Sequence, residues 1–363
     1  MRGKWKRIIA GVLIAVMVCS VFAGCQSTNK PANIQEDVAL VTFTDSLGRT
    51  VEVPEEITRY AVTGPLAQIV LFALAPDEMV AIASEWSVEA EGLIDEKYYT
   101  LPVLGQLYGG NGDLNLEELM AADPQVIIDV GESKEDMDEE LDSIQNQSGI
   151  PVVHISANLK TMSDAYMMLG DLFGKEQEAA ELSQYCKSVY SRSEQIAAKI
   201  GEDKVSALYC LGDLGCNVIC RDSYHSEVID LLTDNKAVVD NPSAKGIGNE
   251  VDFEQILLWD PEVIFFAPNS YYDYVGEDAL WQQLQAIQSG NYYEVPFGPY
   301  NWMGFPPSVQ RYLGMIWMAK VLYPETAEYD LYAEVARYFE LFYHTDLTVA
   351  QYEELVEKSI EKP

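Results

Sequence analysis

Two stretches of the sequence share one pattern and together decide the fold. Val251–Pro268 reads VDFEQILLWDPEVIFFAP, and Leu114–Gly131 reads LNLEELMAADPQVIIDVG. At a constant offset of 137 residues, Glu117 aligns with Glu254, and each stretch has an Asp-Pro pair at the same place. A short helix that stops at Asp-Pro and leads into an apolar strand accounts for both copies. The chain therefore carries one helix–turn–strand unit twice.

The segments around the first copy alternate between strands and helices. The pattern predicts strands over 59–62, 79–83, 126–130 and 152–155, and helices over 66–74 and 116–122. Apolar strands separated by helices indicate a parallel sheet that is covered on both faces.

Residues 161–200 contain no proline and have apolar residues at helical spacing on both sides of Gly174. This pattern predicts two helices, of which the second runs over 175–200. At about 1.5 Å per residue, that helix is roughly 39 Å long. A helix of this length suits a connection between two lobes.

The segments after this helix repeat the alternation. Strands are predicted over 205–210, 218–220, 263–266 and 292–295, and helices over 226–232, 253–259 and 307–322. We therefore expect an N-terminal α/β lobe over 41–174, a connecting helix over 175–200 and a C-terminal α/β lobe over 201–363.

The N-terminus is typical of an exported protein. Four basic residues precede an apolar run over 8–24, which is the layout of a signal peptide. Small residues directly before Cys25 resemble the bacterial lipobox, in which the signal is removed and the cysteine is acylated. We expect a signal over 1–24, lipidation of Cys25 and a flexible tether over 25–40. The alternative is a plain transmembrane anchor.

The charge of the chain excludes some partners. The formal charge is −35, and it becomes −39 without residues 1–24. Such a surface argues against binding to nucleic acid or directly to anionic lipid. We expect a monomer outside the cytoplasm that is held at the membrane by its lipid alone.

Four cysteines remain after the signal and the anchor: Cys186, Cys210, Cys216 and Cys220. Outside the cell a disulfide among them is an open alternative to buried thiols. The last three and His225 fall close together in the sequence, but they lack the paired spacing of a zinc site. We therefore expect no structural metal here.

Residues 44–54 read TDSLGRTVEVP, which resembles the D-x-x-G-R-x-V-x-x-P signature of a known family. The resemblance continues through Asn115-Leu116-Glu117, the two Asp-Pro pairs and Pro306-Pro307-Ser308-Val309-Gln310-Arg311, in the right order, over about 41–357. The family is that of the substrate-binding proteins of ABC importers for iron–siderophores, haem and cobalamin.

This resemblance implies a fold and a partner. The implied fold is two Rossmann-like α/β lobes joined by a single long rigid helix, the class III periplasmic binding protein fold, with the ligand held between the lobes. In this family a glutamate on each lobe docks on the ABC permease dimer, and Glu117 and Glu254 match those positions. Each acid also lies in the first turn of its helix, where the helix dipole favours a carboxylate by about 0.3–1 kcal/mol.

Ligands of doubly wound sheets bind outside the carboxyl ends of the strands. The residues predicted at such positions form the candidate ligand site. They are Thr63, Gly64, Glu85, Trp86, Tyr108, Gly109, Arg221, Tyr224, His225, Asn269, Tyr300, Asn301 and Trp302. Their aromatic rings would give flat apolar walls to a large chelate or macrocycle. The stretch FGPYNWM over 297–303 supplies the strongest candidates.

The basic residues discriminate among ligands. Arg221 is the only arginine on a predicted cleft loop, whereas anionic catecholate complexes call for several cations. We therefore expect a small-molecule metal chelate close to neutral, such as a hydroxamate siderophore, or haem or a corrinoid. No cofactor is expected besides this ligand.

Other functions need features that the sequence provides poorly. A direct manganese or zinc receptor needs several converging histidines, and the chain has three: His154 in an apolar strand, His344, and His225, which could be an axial ligand to a chelated metal. A surface hydrolase would need a catalytic motif, and no nucleophile elbow, zinc-protease helix or phosphate loop occurs. A receptor that feeds a sensor would keep the binding function without the permease.

Overall fold

The structure is a computed structural model that describes residues 39–107, 114–243 and 245–360. The strands are β1 (Leu40–Thr44), β2 (Thr50–Pro54), β3 (Tyr60–Val62), β4 (Val126–Gly131), β5 (Val152–Ser156), β6 (Ser206–Leu211), β7 (Asn217–Val218), β8 (Asp234–Asn235), β9 (Asn249–Glu250), β10 (Val263–Phe266) and β11 (Tyr292–Glu294). The helices are α1 (Pro65–Leu74), α2 (Leu116–Ala122), α3 (Met137–Ser148), α4 (Met162–Phe173), α5 (Glu176–Ile200), α6 (Glu227–Leu232), α7 (Phe253–Trp259), α8 (Tyr272–Val275), α9 (Gln285–Ser289), α10 (Arg311–Leu322), α11 (Leu331–Tyr338) and α12 (Val349–Val356).

The N-terminal sheet has three parallel strands in the order β3-β4-β5. All six residues of β4 are buried, as expected for a central strand covered by helices. A hairpin of β1 and β2 lies beside β5. Asp45 in its turn accepts hydrogen bonds from the backbone N–H groups of Leu47 and Arg49 and from that of His154 on β5. The D-x-x-G-R signature thus ties the hairpin to the sheet.

The strand expected over 79–83 is wrong. The segment makes only two isolated bridges, Tyr60 with Met79 and Ile82 with Val103. The N–H of Val80 donates to the carbonyl of Tyr60, whereas that of Ile82 donates to the carbonyl of Pro102. Because neighbouring residues pair with different segments, no continuous ladder forms.

The C-terminal sheet has the order β11-β10-β6-β7-β9, and β8 also pairs with β6. The strands predicted over 205–210, 263–266 and 292–295 are present as β6, β10 and β11, which pair in parallel. The strand predicted over 218–220 is present as the short β7, which pairs antiparallel with β6. Strand β8, which is parallel to β6, and strand β9, which is antiparallel to β7, were not predicted.

The repeated unit occupies corresponding places in the two sheets. Helix α2 ends at Asp123 and helix α7 ends at Asp260, and both residues are left-handed, with φ of 50° and 33°. The strand that follows is central each time, since β4 lies between β3 and β5, and β10 lies between β6 and β11. The Asp-Pro pair is therefore a shared helix stop that redirects the chain into a buried strand.

In the order of the chain, helix α5 lies between the two sheets. It packs against α1 and α4 of the N-terminal part and against α6 and α10 of the C-terminal part. Its apolar face belongs to a continuous core cluster that also contains Val62 of the N-terminal sheet and Tyr209 and Phe265 of the C-terminal sheet. The helix is present over the predicted residues, and its role as a rigid connection stays a prediction.

The last predicted helix begins later than expected. Helix α10 starts at Arg311 rather than near Pro307, because a tight turn precedes it: the N–H of Ser308 donates to the carbonyl of Pro306, and that of Arg311 donates to the carbonyl of Ser308. The helices α11 and α12, which were not predicted, follow it and add to the same core.

Within the described ranges, the structure has no helix that is long and apolar enough to span a membrane. The predicted signal over 1–24, Cys25 and the tether up to residue 38 lie outside the described residues. The predicted tether ends at residue 40, where β1 begins.

Candidate ligand site and docking residues

A chain of hydrogen bonds crosses the carboxyl ends of the three N-terminal strands. The hydroxyl of Thr63 donates to the buried carboxylate of Asp129, whose other oxygen lies 2.6 Å from Nδ1 of His154. The ring Nε2 of His154 lies 3.1 Å from the hydroxyl of Ser156 and 3.3 Å from that of Ser133, and the two hydroxyls contact each other. A carboxylate only accepts hydrogen bonds, so Nδ1 of His154 carries a proton. His154 is thus a buried histidine with partners at both ring nitrogens.

At the start of α10, Arg311 is fully buried. Its Nε donates to the carbonyl of Ser308 at 3.3 Å, and its Nη1 donates to the carbonyl of Tyr224 at 3.0 Å and to the carboxylate of Glu227. The guanidinium carbon also lies 4.9 Å from the centre of the Tyr224 ring. Gly304 makes room for the side chain, because a Cβ there would lie 2.7 Å from Cδ of Arg311.

Three polar atoms near this arginine are buried without a hydrogen-bond partner. They are Nη2 of Arg311, Oε1 of Gln310 and Oγ of Ser223. Unpaired buried polar groups are rare in folded proteins because each costs about 1–3 kcal/mol. Three of them on two neighbouring segments indicate a place where an additional group could complete the bonding.

Glu132, in the loop after β4, is close enough to Arg311 for the two charges to interact. Burial raises the pKa of Glu132 above its ordinary value; the charge of Glu227 raises it further, and that of Arg311 lowers it. Burial also raises the pKa of Tyr224, whose environment includes the charges of Arg311, Glu227 and Glu132. We call Glu132, Ser223, Tyr224, Glu227 and Arg311 the seam cluster, because it joins residues that follow the N-terminal sheet to residues of the C-terminal part.

His225, beside this cluster, is buried and stacks on Phe305, with ring centres 5.2 Å apart and planes 7° apart. Its Nδ1 lies 3.3 Å from the carbonyl oxygen of Gly304. The structure therefore brings together two of the predicted site residues, Tyr224 and His225, next to the loop after β4.

The residues of the FGPYNWM stretch that were expected as ligand walls are buried. Trp302 has no exposed surface, and its Nε1 donates to the carbonyl of Gly298. The Asn301 amide donates to the hydroxyl of Tyr209 at 3.0 Å, and the Tyr300 ring packs beside Trp86 at 6.0 Å. The first two contacts lie within the C-terminal part, and the contact of Tyr300 with Trp86 joins the two parts of the chain. A ligand reaches these rings only if the surrounding wall opens, so their part in binding stays a prediction.

The remaining residues of the predicted ligand site lie in different surroundings. Trp86 is buried against Phe72, while Glu85 and Asn269 are exposed and Gly64 precedes α1. Arg221 pairs with the carboxylate of Asp234 and donates to the carbonyl of Asn235, so its guanidinium is occupied by β8. Tyr108 and Gly109 lie outside the described residues. The ligand-binding roles of all these residues stay predictions.

The two candidate docking glutamates occupy the same position in their helices, although the two helix caps differ. Glu117 and Glu254 are exposed in the first turns of α2 and α7. Asn115 caps α2, because its side chain accepts hydrogen bonds from the N–H groups of Glu117 and Glu118. Helix α7 begins after Asp252, whose side chain makes no such bond.

Neither the cysteines nor the histidines group as metal ligands in the described part of the chain. No cluster of three His, Cys, Asp or Glu side chains suited to a metal ion occurs there. Cys186, Cys210, Cys216 and Cys220 are free thiols. His344 lies 3.2 Å from the carbonyl of Phe72.

Arg311 and Ser223 were not among the predicted ligand contacts. Arg311 was assigned to a helix, and the signal that could have found it is its position at the end of the proline-containing motif over 306–311. An arginine at the start of an otherwise apolar helix is buried only where it has partners. Its position therefore indicates a buried ion pair.

Comparisons with known proteins agree on one family. The sequence profile described as periplasmic binding protein matches residues 70–298. The molybdate-binding protein MolA of Haemophilus influenzae is 27% identical over 338 residues, which cover 84% of this chain and 91% of MolA. The haem uptake protein IsdE of Staphylococcus aureus is 22% identical over 216 residues, which cover 56% of this chain and 70% of IsdE.

Solved structures show the same fold. An ABC transporter solute-binding protein from Sulfurospirillum deleyianum superposes with a TM-score of 0.80 at 28% identity, covering 87% of this chain and 99% of that one. A periplasmic solute-binding protein from Veillonella parvula gives a TM-score of 0.74 at 23% identity, over 88% and 98% of the two chains. These relatives are transport components rather than enzymes, and they share the expected two-lobed class III fold. The chain therefore belongs to the periplasmic binding protein family, the extracytoplasmic substrate-binding components of ABC importers.

Proposed function

We propose that the ligand is a compact metal oxyanion of the molybdate class, bound at the seam cluster and delivered to an ABC permease. The observation that carries this proposal is the buried guanidinium of Arg311, which has one nitrogen, Nη2, without a partner. The neighbouring unpaired hydroxyl of Ser223 adds a second donor.

The chemistry of these groups favours an anion. A guanidinium cannot lose its proton, and its donors match the oxygens of an oxyanion in a charge-assisted, planar geometry. The sequence-based expectation of a near-neutral ligand rested on Arg221 as the only cation, and Arg311 removes that argument. The likeness to MolA, over most of both chains, supports the same class of ligand.

The size of the ligand follows from the aromatic residues. Tyr300 and Trp302 were expected to line a wide cleft, but they are 6% and 0% exposed. The polar groups of the seam cluster are therefore the better candidates for contact, and they suit a small ligand better than a macrocycle.

A ferric chelate or haem, the ligand expected from the sequence, is the second candidate. The observation that favours it is His225, which stacks on Phe305 beside the seam cluster and could serve as an axial ligand. The weaker likeness to the haem protein IsdE supports it as well.

The full-length protein, purified in mild detergent, would be titrated calorimetrically with molybdate, tungstate, sulfate, a ferric trihydroxamate and haem. We expect molybdate and tungstate to bind. Arg311→Lys should weaken them about 10- to 100-fold, because a hydrogen bond to a charged group contributes about 1.5–3 kcal/mol. Ser223→Ala removes a hydroxyl without a partner, so it should weaken binding while leaving stability unchanged.

The matched control is Arg337→Lys, because Arg337 forms an exposed pair with Glu340 away from the seam cluster. It should bind like the wild type. Binding of the trihydroxamate or haem without binding of either metal oxyanion would replace the first proposal by the second.

We further propose that Cys25 is lipidated and that the protein is anchored through this lipid alone. The basic and apolar layout of residues 1–24 supports it. Cys25→Ala should lose incorporation of labelled fatty acid in growing cells; equal labelling of the variant would contradict the anchor.

Docking of Glu117 and Glu254 on the permease dimer is proposed as well. Their exposure and their equivalent positions at α2 and α7 support it.

A further inference from the structure

We propose that Ser133 and Ser156 form the N-terminal wall of the ligand site, and that the buried Asp129–His154 pair decides whether their hydroxyls offer protons or lone pairs to the ligand. The inference rests on the proposed function, since it supplies the second wall of the same site. His154 acts through the serines and is a positioning residue.

Both serines lie where the N-terminal sheet meets the seam cluster. Ser133 directly follows Glu132, and Ser156 ends β5, opposite Gly131 in the register. The segment after Ser156 reaches the start of α10, because the hydroxyl of Tyr312 donates to the carbonyl of Leu159 at 2.7 Å. Ser133 thus follows a residue that responds to the charge of Arg311, and Ser156 precedes a segment that is bonded to Tyr312, the residue after Arg311.

With a neutral His154, both hydroxyl protons point inward. The proton on Nδ1 is donated to Asp129, so Nε2 is an acceptor and takes a proton from one serine. The second serine donates to the first, across their mutual contact. Only lone pairs then face outward, which suits a hydrogen-bond donor or a metal cation and disfavours an oxyanion.

With a protonated His154, the direction of these hydrogen bonds reverses. Nε2 now donates to a serine oxygen, and one hydroxyl proton remains between the two serines. The other is released to point outward, toward the ligand. Binding of an oxyanion is then coupled to the uptake of one proton, so its affinity falls as the pH rises, by about tenfold per unit at most.

The charged groups around His154 come from three elements. Asp129 lies on β4, and Asp45 and its partner Arg49 lie in the turn of the β1–β2 hairpin, where Asp45 accepts from the His154 backbone. After β4, Glu132 also responds to the charges of the seam cluster. Because Glu132 would add its own pH dependence, the profiles are best measured in a Glu132→Gln background.

The test measures molybdate affinity between about pH 5.5 and 8.5. The starting protein should bind more tightly at low pH. Ser133→Ala with Ser156→Ala should weaken binding about tenfold at low pH and flatten the profile. The control Ser289→Ala, an exposed serine whose hydroxyl bonds to its own helix, should change neither.

Asp129→Asn gives the sharpest outcome. The amide can donate to Nδ1, which moves the ring proton to Nε2 and holds the serines as donors. Binding should then stay tight up to the highest pH, with a flat profile, whereas a merely structural role predicts weaker binding throughout. Nitrogen NMR of the ring reports the proton position directly, and the chain has only three histidines to assign.

Unchanged affinity in the double serine variant, or an unchanged profile in Asp129→Asn, would overturn the inference while leaving the oxyanion proposal intact. If molybdate does not bind at all, the proposed function fails, and the same variants are tested with a ferric trihydroxamate. That ligand should bind more tightly at high pH, and Asp129→Asn should weaken it. Equal binding by all the variants would overturn the inference there too.

Discussion

Arg311 is costly to bury, and the fold compensates for most of that cost. Removing a charged group from water costs several kcal/mol. The carboxylate of Glu227, two backbone carbonyls and the ring of Tyr224 offset it. The two N–H groups of Nη2 are left over, and the other contacts hold the side chain in place before a ligand arrives. Holding a binding group in this way lowers the entropy that is lost on binding.

If the ligand is the proposed oxyanion, the neighbouring Glu132 should give its binding a second dependence on pH. Its pKa is already raised by burial and by Glu227. A second anion at the seam would raise the pKa further, so binding is favoured when Glu132 is protonated and is disfavoured as the pH rises above its titration. The direction is the same as that expected from His154, which is why the two effects are separated by the Glu132→Gln background.

At the scale of residues, the sequence allowed only part of the site to be predicted. His225 and Tyr224 follow from the rule that ligands bind near the carboxyl ends of strands. Trp302 illustrates the limit, because an aromatic residue in a loop has the same pattern whether it faces a cleft or fills the core. Arg311 was missed because burial of a charge depends on partners far away in the sequence, such as Glu227.

At the scale of elements, helices α4 and α5 cross at their closest at Gly170. A Cβ at this glycine would lie 2.5 Å from Cβ of Ala179. Glycine in a helix is ordinarily worse than alanine by about 1 kcal/mol. We nevertheless expect Gly170→Ala to lower the free energy of unfolding by about 1–3 kcal/mol, because the methyl group forces the helices apart.

Urea denaturation followed by circular dichroism measures this change. Asp171→Ala, at an exposed position on the same helix, is the matched control and should leave stability unchanged or raise it slightly. An increase in stability for Gly170→Ala, as helix propensity alone would give, would show that the crossing is loose.

Helices with clear start or stop residues in the sequence were predicted at the correct bounds. Helix α2 has its cap at Asn115 and its stop at Asp123, and it spans the expected residues, as does α7. The segment over 79–83 failed because an apolar run does not determine which segments it will pair with. The strands β8 and β9, which were not predicted, are two residues each, which is too short for any alternation of apolar and polar residues to show.

At the scale of the whole molecule, the proposed docking of the two exposed glutamates on the permease can be tested by substitution. Glu117→Ala with Glu254→Ala should leave ligand affinity unchanged and abolish uptake of radiolabelled ligand by cells, because both carboxylates are exposed on helices that carry none of the seam-cluster residues.

The matched control is Glu118→Ala with Glu277→Ala, which removes two other exposed acids and the same charge. This pair should transport normally. Normal uptake by the Glu117 and Glu254 variant would remove the docking role from these residues, and a loss of uptake in both pairs would indicate a general effect of surface charge.

The continuous core around α5 limits how such a protein can evolve. Each part has a smaller apolar cluster of its own, but the largest cluster contains residues from both sheets and from this helix, so it belongs to neither part alone. A recombination event that joined the first part of this chain to the second part of a relative would have to match two sets of packing surfaces at once. New ligand specificity is therefore easier to acquire through substitutions in the loops around the seam than through the exchange of whole lobes.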